Sequence, residues 1–369
     1  MNTHDPRTFR SEVIGSLLRP EYLKQAVQRH AAGQISDAEL RAAEDRAVLE
    51  AIALQEACDI DVITDGEMRR TYWFDPLTKS LGGYTFDATA PVPFVTPEGP
   101  QIQVVQLPAV TGRLTRRNNL PLRELTFLRQ HTRKPVKATL PSLTYASVLW
   151  VPGVSDTVYP DREQYMQEAL QLARELVSEL VESGVRYIQL DAPRYTHLVS
   201  EVGIENFRRL GLNPDTWLDE MIALDNALIE GFPGVTFGLH LCRGNARSMW
   251  SVEGGYDPIA EKLFTQLRVQ RLLLEYDTPR AGTFAPLRFV PPDKTVVLGL
   301  ITTKTADMET ADLIRRRVEE ATRYIPLERL AISPQCGFAS VLEGNLIGEE
   351  VQRAKLELLG RVAKEIWAA

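Results

Sequence analysis

The chain has 369 residues, 44% of them hydrophobic, and a formal net charge of −7. The acidic balance argues against nucleic acid or an anionic membrane surface as the main partner. No apolar run approaches the ~20 residues of a bilayer span, and Met1-Asn2-Thr3-His4-Asp5 lacks the apolar core of a secretory leader.

In chain order, eight short apolar runs read as strands: 12–16, 61–64, 136–140, 186–190, 235–239, 271–275, 295–301 and 330–333. Several are continuously apolar rather than alternating, which marks parallel strands covered on both faces. Between them lie helical stripes at 37–58, 161–183, 258–267, 311–324 and 347–367. Ser36 and Glu39 form a capping-box pattern ahead of the first stripe. Asp161 opens the second and Gly184 closes it, while Asp257 and Pro258 read as N-cap and first helical position of the third.

Strands alternating with helices are βα units. Eight of them predict an α/β fold, a (β/α)₈ TIM barrel forming a single domain over 1–369, with an open doubly wound sheet as the alternative. Residues 82–120 break the alternation. They have no helical stripe, and 91–95 with 101–105 read as a β-hairpin inserted after strand 2, a feature that shapes the mouth or builds a homodimer contact.

Barrel chemistry gathers at the carboxyl ends of the strands. Those ends hold Gly15-Ser16, Asp65-Gly66-Glu67, Asp191-Ala192-Pro193, His240 with Cys242, Glu275-Tyr276-Asp277, Thr302-Thr303-Lys304 and Pro334-Gln335-Cys336. Imidazole and thiol two residues apart, with a second rare thiol downstream, are the ligand types of zinc. His240, Cys242 and Cys336 are therefore predicted metal ligands. Glu275 is the preferred fourth because strand 6 neighbours strand 5; its alternative is an ion pair with Arg271 or Arg280. Such a set leaves a dication at a net charge of about −1. That suppresses water activation and suits capture of a thiol. No CxxC pair of the structural zinc type occurs. Three widely spaced cysteines form no disulfide framework and fit a cytoplasmic, reducing compartment.

Other candidates carry blander readings. Lys304 neutralises a substrate carboxylate or is a solvated loop lysine. Cys58 shares a helical face with Ala47, Ala51 and Leu54 and reads as core packing. His197 reads as a surface residue or as an acid–base group near strand 4. Tyr72, Trp73, Trp150, Tyr195 and Tyr276 lie near strand ends and are left unassigned between mouth and core.

Taken together, Ile14-Gly15-Ser16, Asp65-Gly66-Glu67, Gln189 to Pro193, His240-Leu241-Cys242, Glu275 and Pro334 to Gly337 resemble cobalamin-independent methionine synthase, specifically its short, single-barrel members. The resemblance implies zinc on His240, Cys242, Glu275 and Cys336, and homocysteine as methyl acceptor. It also implies that Ser16 helps hold the amino acid, and that Glu67 and Asp191 hold its ammonium group at the catalytic centre.

The methyl-donor half of the pattern departs from the family. Residues 82–120 have no counterpart of the folate-binding Arg-Cys-Val-Lys-Pro-Pro stretch. Trp150 is off register for the pterin-stacking tryptophan, and Thr302 stands where the family has a proton-donating histidine. Besides a folate, the donor side therefore admits a methylated corrinoid (methylcobalamin or a corrinoid protein) or another small methyl or alkyl compound. Two alternatives to methionine synthesis follow: a zinc-thiolate alkyl transferase of the epoxyalkane:coenzyme M kind, and a zinc- or thiol-binding barrel without turnover.

Overall fold

Six of the eight predicted strands form as strands, and single-residue bridges in place of the first two close the ring. The computed structural model describes residues 5–96 and 98–367; the amino-terminal residues read above for a leader lie outside that range in part. Six parallel strands run in sequential order: Ala138–Pro141, Tyr187–Asp191, Thr236–Leu241, Arg271–Glu275, Thr295–Ile301 and Leu330–Pro334. They are the third to eighth staves of the barrel. The first two staves are single-residue parallel bridges. Ser11 pairs with Ile332 of the eighth stave, Glu12 with Val62, and Ile63 with Val136 just ahead of the third, which completes the ring.

The burial pattern explains the apolar runs. Every residue of the fourth to eighth staves is buried, because each strand faces the barrel interior on one side and a helix layer on the other. Leu176, Val177 and Leu180 of Arg162–Glu182, and Leu356, Leu359 and Val362 of Glu349–Trp367, supply that outer layer.

Local signals mostly act as read. Ser36 caps Asp37–Ala57 with the full reciprocal capping box, Asp161 caps Arg162–Glu182 through Gln164 N, and Gly184 takes the left-handed φ of +94° that ends that helix. One boundary differs. Helix Asp257–Gln266 begins a residue early, with Tyr256 at the N-cap and no side-chain cap. The Tyr256 hydroxyl instead turns inward, donating to Leu241 O and accepting from Glu275 N.

The insertion is a hairpin of Leu81–Thr96 and Gly99–Arg116, longer than the segments read from sequence. Pro93 opposes Ile102 and Val95 opposes Pro100. Its far end reaches back over the barrel mouth. Val95 and Trp250 exchange backbone hydrogen bonds of 2.7 and 3.0 Å, so the hairpin braces the loop that follows the fifth stave. Among the described residues no helix is long and apolar enough to cross a membrane.

Candidate metal centre

Parallel register places the site. Asp191 at the end of the fourth stave pairs directly with His240 of the fifth, and Pro334 at the end of the eighth pairs with Ile301. Chain continuing past those ends delivers Cys242 and Cys336. Ligand atoms of His240, Cys242 and Cys336 lie within 4.8 Å of one another, and all three residues are buried.

The donor set fits a soft dication. His240 Nδ1 sits 3.3 Å from Leu273 O. A carbonyl only accepts, so Nδ1 carries the proton and Nε2 the lone pair. Nε2 is buried and has no hydrogen-bond partner. Burial works to lower the His240 pKa, but the Cys336 sulfur, Asp191 and Glu275 raise it overall. Cys336 is held well below the usual thiol range by the Cys242 thiol and His240 against the cost of burial, while Cys242 is pushed up by that same sulfur and by burial. One thiolate beside one thiol is the metal-free form of a two-thiolate site.

Glu275 lies outside the group of ligand atoms that these three form and makes the Arg280 ion pair that was its alternative reading. Its Oε1 accepts from Arg280 Nε and Nη2 at 3.0 and 2.9 Å, and its Oε2 from Arg243 N at 2.9 Å. Burial opposes its charge, but Arg280 and Arg243 hold its pKa below the ordinary carboxylate value. Arg271, the other suggested partner, is taken by Glu12 at 2.6 Å.

Lys304 is buried rather than the solvated loop lysine of its alternative reading. Its Nζ donates to Asn245 Oδ1, Gly244 O and Met249 O at 2.8, 3.1 and 3.1 Å. An ammonium has three protons, and these three acceptors engage all of them.

The triad opens into a cavity of about 70 Å³ that also meets Ile14, Ser16, Glu67, Trp73, Asp191 and Asn245. Glu67 is aimed by a tight turn. Gly66 and Glu67 have φ of +70° and +56°, the latter an uncommon conformation for a residue with a side chain, and Asp65 Oδ1 accepts from Glu67 N. The Glu67 carboxylate takes both its contacts on Oε1, from Thr139 Oγ1 at 2.9 Å and Arg70 at 3.0 Å. Burial raises its pKa against the pull of Arg70 and Arg19. Asp191 Oδ1 accepts from Gln189 Nε2 at 2.7 Å; burial, helped by Glu67 and opposed by His240, pushes its carboxyl up to about 7. Two motif glycines make room here: a Cβ on Gly15 would strike Glu67 Oε1, and one on Gly337 would strike Ser16 Oγ.

Of the aromatics near strand ends, Trp73 reaches the cavity. Tyr195 is buried on Asp225 and Trp217, Tyr276 packs on Tyr256 and Phe284, and Trp150 donates to Tyr159 O. His197 is buried and stacked on Phe207 rather than at the surface. Cys58 lies in the core, as read. Asn245 and Ser340 line the cavity but were not singled out from sequence; their only signal is proximity to Cys242 and Cys336.

A closed parallel barrel with two thiols and an imidazole at its mouth, faced by two buried carboxylates, defines a barrel whose mouth could hold a metal ion. Comparisons with known proteins sharpen that class. The model of the cobalamin-independent synthase catalytic domain matches residues 9–364. An uncharacterized Bacillus subtilis protein, YxjH, is 36% identical over 97% of this chain and 95% of its own length. Methionine synthase of Pyrococcus abyssi is 23% identical over 89% of this chain and 85% of its own. A crystal structure described as a putative vitamin-B12 independent methionine synthase from Listeria monocytogenes covers 99% of both chains with a TM-score of 0.72 and 26% identity. The chain belongs to the cobalamin-independent methionine synthase family, a family of methyltransferases.

Proposed function

We propose that this protein is a zinc-dependent thiol S-methyltransferase that methylates homocysteine to methionine in the cytoplasm. The observation that carries the reading is the His240-Cys242-Cys336 triad, which shares one small cavity with Glu67 and Asp191. These three side chains would hold the zinc, and a set of three protein ligands leaves a position for substrate, as in catalytic rather than structural sites. Bound there, zinc supplies positive charge that favours the deprotonated form of an incoming thiol near neutral pH.

The chain's own residues do the rest. Glu67 and Asp191 form a buried anionic pair suited to an α-ammonium group, with Ser16 beside them. A cavity of about 70 Å³ is small against the ~300–1,000 Å³ of ordinary ligand pockets, so it suits a compact acceptor and leaves the donor to approach through the mouth past Trp73. Held at both ends, the acceptor sulfur points along one line toward the donor. The S–CH₃ bond forms as the donor–CH₃ bond breaks; the electron pair leaves on the donor, and the thiol proton goes to solvent. The same carboxylates oppose a sulfonate acceptor of the coenzyme M kind.

The test is a donor screen with zinc-loaded protein and homocysteine, using methyl folates, methylcobalamin and S-methyl compounds, with methionine followed by mass. Homocysteine-dependent methionine from one donor class supports the reading and names the donor. Turnover with a sulfonate thiol but not homocysteine overturns the acceptor assignment. Zinc binding without methyl transfer from any donor leaves a thiol-binding barrel in its place.

A further inference from the structure

Cys242 and Cys336 arrive from different staves, and nothing covalent sets the spacing of their loops. A side-chain tie does. Asn245, three residues after Cys242, donates Nδ2 to the carbonyl of Gly337, the residue after Cys336, at 2.7 Å. The same nitrogen lies 3.3 Å from Ser340 Oγ. Lys304, at the end of the seventh stave, donates to Asn245 Oδ1 at 2.8 Å and grips the same loop at Gly244 O and Met249 O.

The direction of these bonds is fixed. An ammonium can only donate and a peptide carbonyl can only accept. Asn245 must therefore keep Oδ1 toward Lys304 and Nδ2 toward Gly337; a flipped amide would set donor against donor and acceptor against acceptor. Thr303 reinforces the corner, its Oγ1 lying 2.8 Å from Gln335 Oε1 and 3.1 Å from Gly337 O. Asn245, Lys304 and Thr303 are all buried. The loop they hold has left-handed φ at Gly244, Arg247 and Ser248, a course it keeps only where its surroundings over-determine it.

We infer that Asn245, oriented by Lys304, is a positioning latch that sets the distance between the two sulfurs before a metal arrives. Its use in metal binding rests on the zinc reading above; the tie itself does not. Metal ligands lose affinity when their supporting hydrogen bonds go, by roughly 10–100-fold.

Asn245→Asp is the sharp test. It is nearly isosteric and keeps an acceptor toward Lys304, but sets an oxygen against Gly337 O. Lys304→Met removes the other half and lets the amide turn. Zinc affinity is measured by chelator competition, and expected to fall about 10–100-fold in Asn245→Asp. In metal-free protein, the rate of Cys242–Cys336 bridging by a short bifunctional alkylator such as dibromobimane is followed by peptide mass. It should fall several-fold in both variants, with the thermal midpoint recorded to show that each is folded. If Asn245→Asp does not fold, Lys304→Met carries both measurements. Wild-type zinc affinity and bridging rate in a folded variant overturn the latch. If the wild type itself binds no zinc, the metal reading fails, while the bridging rate still decides the latch.

Discussion

Two carboxyls buried in the same barrel behave in opposite ways. Glu12, in the barrel interior, is driven down to about 2: burial resists its charge, but Lys137 and Arg271 overcome that cost. Asp191, at the mouth, is pushed up to about 7 by burial and Glu67, with His240 only partly offsetting them. Glu12 receives Lys137 Nζ and Arg271 Nη2 at 2.6 Å each, and Tyr187 Oη at 2.8 Å. Asp191 receives one neutral amide. The two are even linked, since Lys137 donates to Gln189 Oε1 and Gln189 donates to Asp191 Oδ1. The interior network supplies its own cations, whereas the mouth gathers carboxylates and sulfur with too few. A buried excess of anionic groups is costly unless something pairs it. In the proposed function, a metal and an ammonium group supply the missing partners.

The comparison breaks hardest at the sulfurs. Cys336→Ser or Cys242→Ser should reduce zinc from about one per chain to near none and methyl transfer to background, checked by metal analysis and methionine formation. A serine variant that keeps both metal and turnover removes the centre proposed here. Next in size is Glu12→Gln. It strands Lys137 and Arg271, and breaking a buried pair this way costs roughly 3–5 kcal/mol. Denaturant unfolding should show that loss, while zinc per folded chain stays the same. An interior variant that folds as stably as wild type would mean the network is not what holds the barrel's charge.

That division was only partly legible in the sequence. The fourth to eighth staves announced themselves because strands covered on both faces are apolar throughout, and the 271–275 and 295–301 boundaries match. The first two staves shrink to bridges. His240, Cys242 and Cys336 could be read because rare, chemically specific side chains sat at strand ends. The full set of contacts made by Glu275 and Lys304 could not. Their partners come from turns: Arg280 is carried by the short 3₁₀ turn Pro279–Ala281, and the acceptors of Lys304 by a loop folded through left-handed residues. Side-chain type gave the chemistry these two can do, and only loop geometry decides which of it they do. The direct pairing of Asp191 with His240 is a fact of register, invisible without the sheet.

A smaller effect sharpens the ammonium assignment. In Asp191→Asn the charge is lost and the shape kept. A hydrogen bond to a charged group is worth about 1.5–3 kcal/mol, so the KM for homocysteine should rise by roughly one to two powers of ten, with kcat less affected. A thiol acceptor lacking the amine should respond far less. Equal losses for both acceptors would assign Asp191 to the sulfur end of the cavity instead.

The last effect comes from pH and tests the contrast without any substrate. In metal-free protein, burial pushes the Asp191 carboxyl from the ordinary 3.8 up to about 7. The folded state therefore holds the proton more tightly, and its contribution is complete below the unfolded pKa and lost as pH rises through about 7. Glu12 runs the other way, from 4.5 to about 2; its contribution is complete above the unfolded value and lost as pH falls through about 2. Between pH 5 and pH 8 Glu12 is constant and Asp191 is not. Unfolding free energy of the wild type should decline by about 2–3 kcal/mol over that window through Asp191. Asp191→Asn should flatten the decline. Glu67, His240 and Cys336 face the same carboxyl and are present in both proteins, so the difference between the two curves isolates it. Parallel curves would mean that Asp191 is already charged at pH 5. The mouth would then be satisfied without a ligand, and the contrast with Glu12 would disappear.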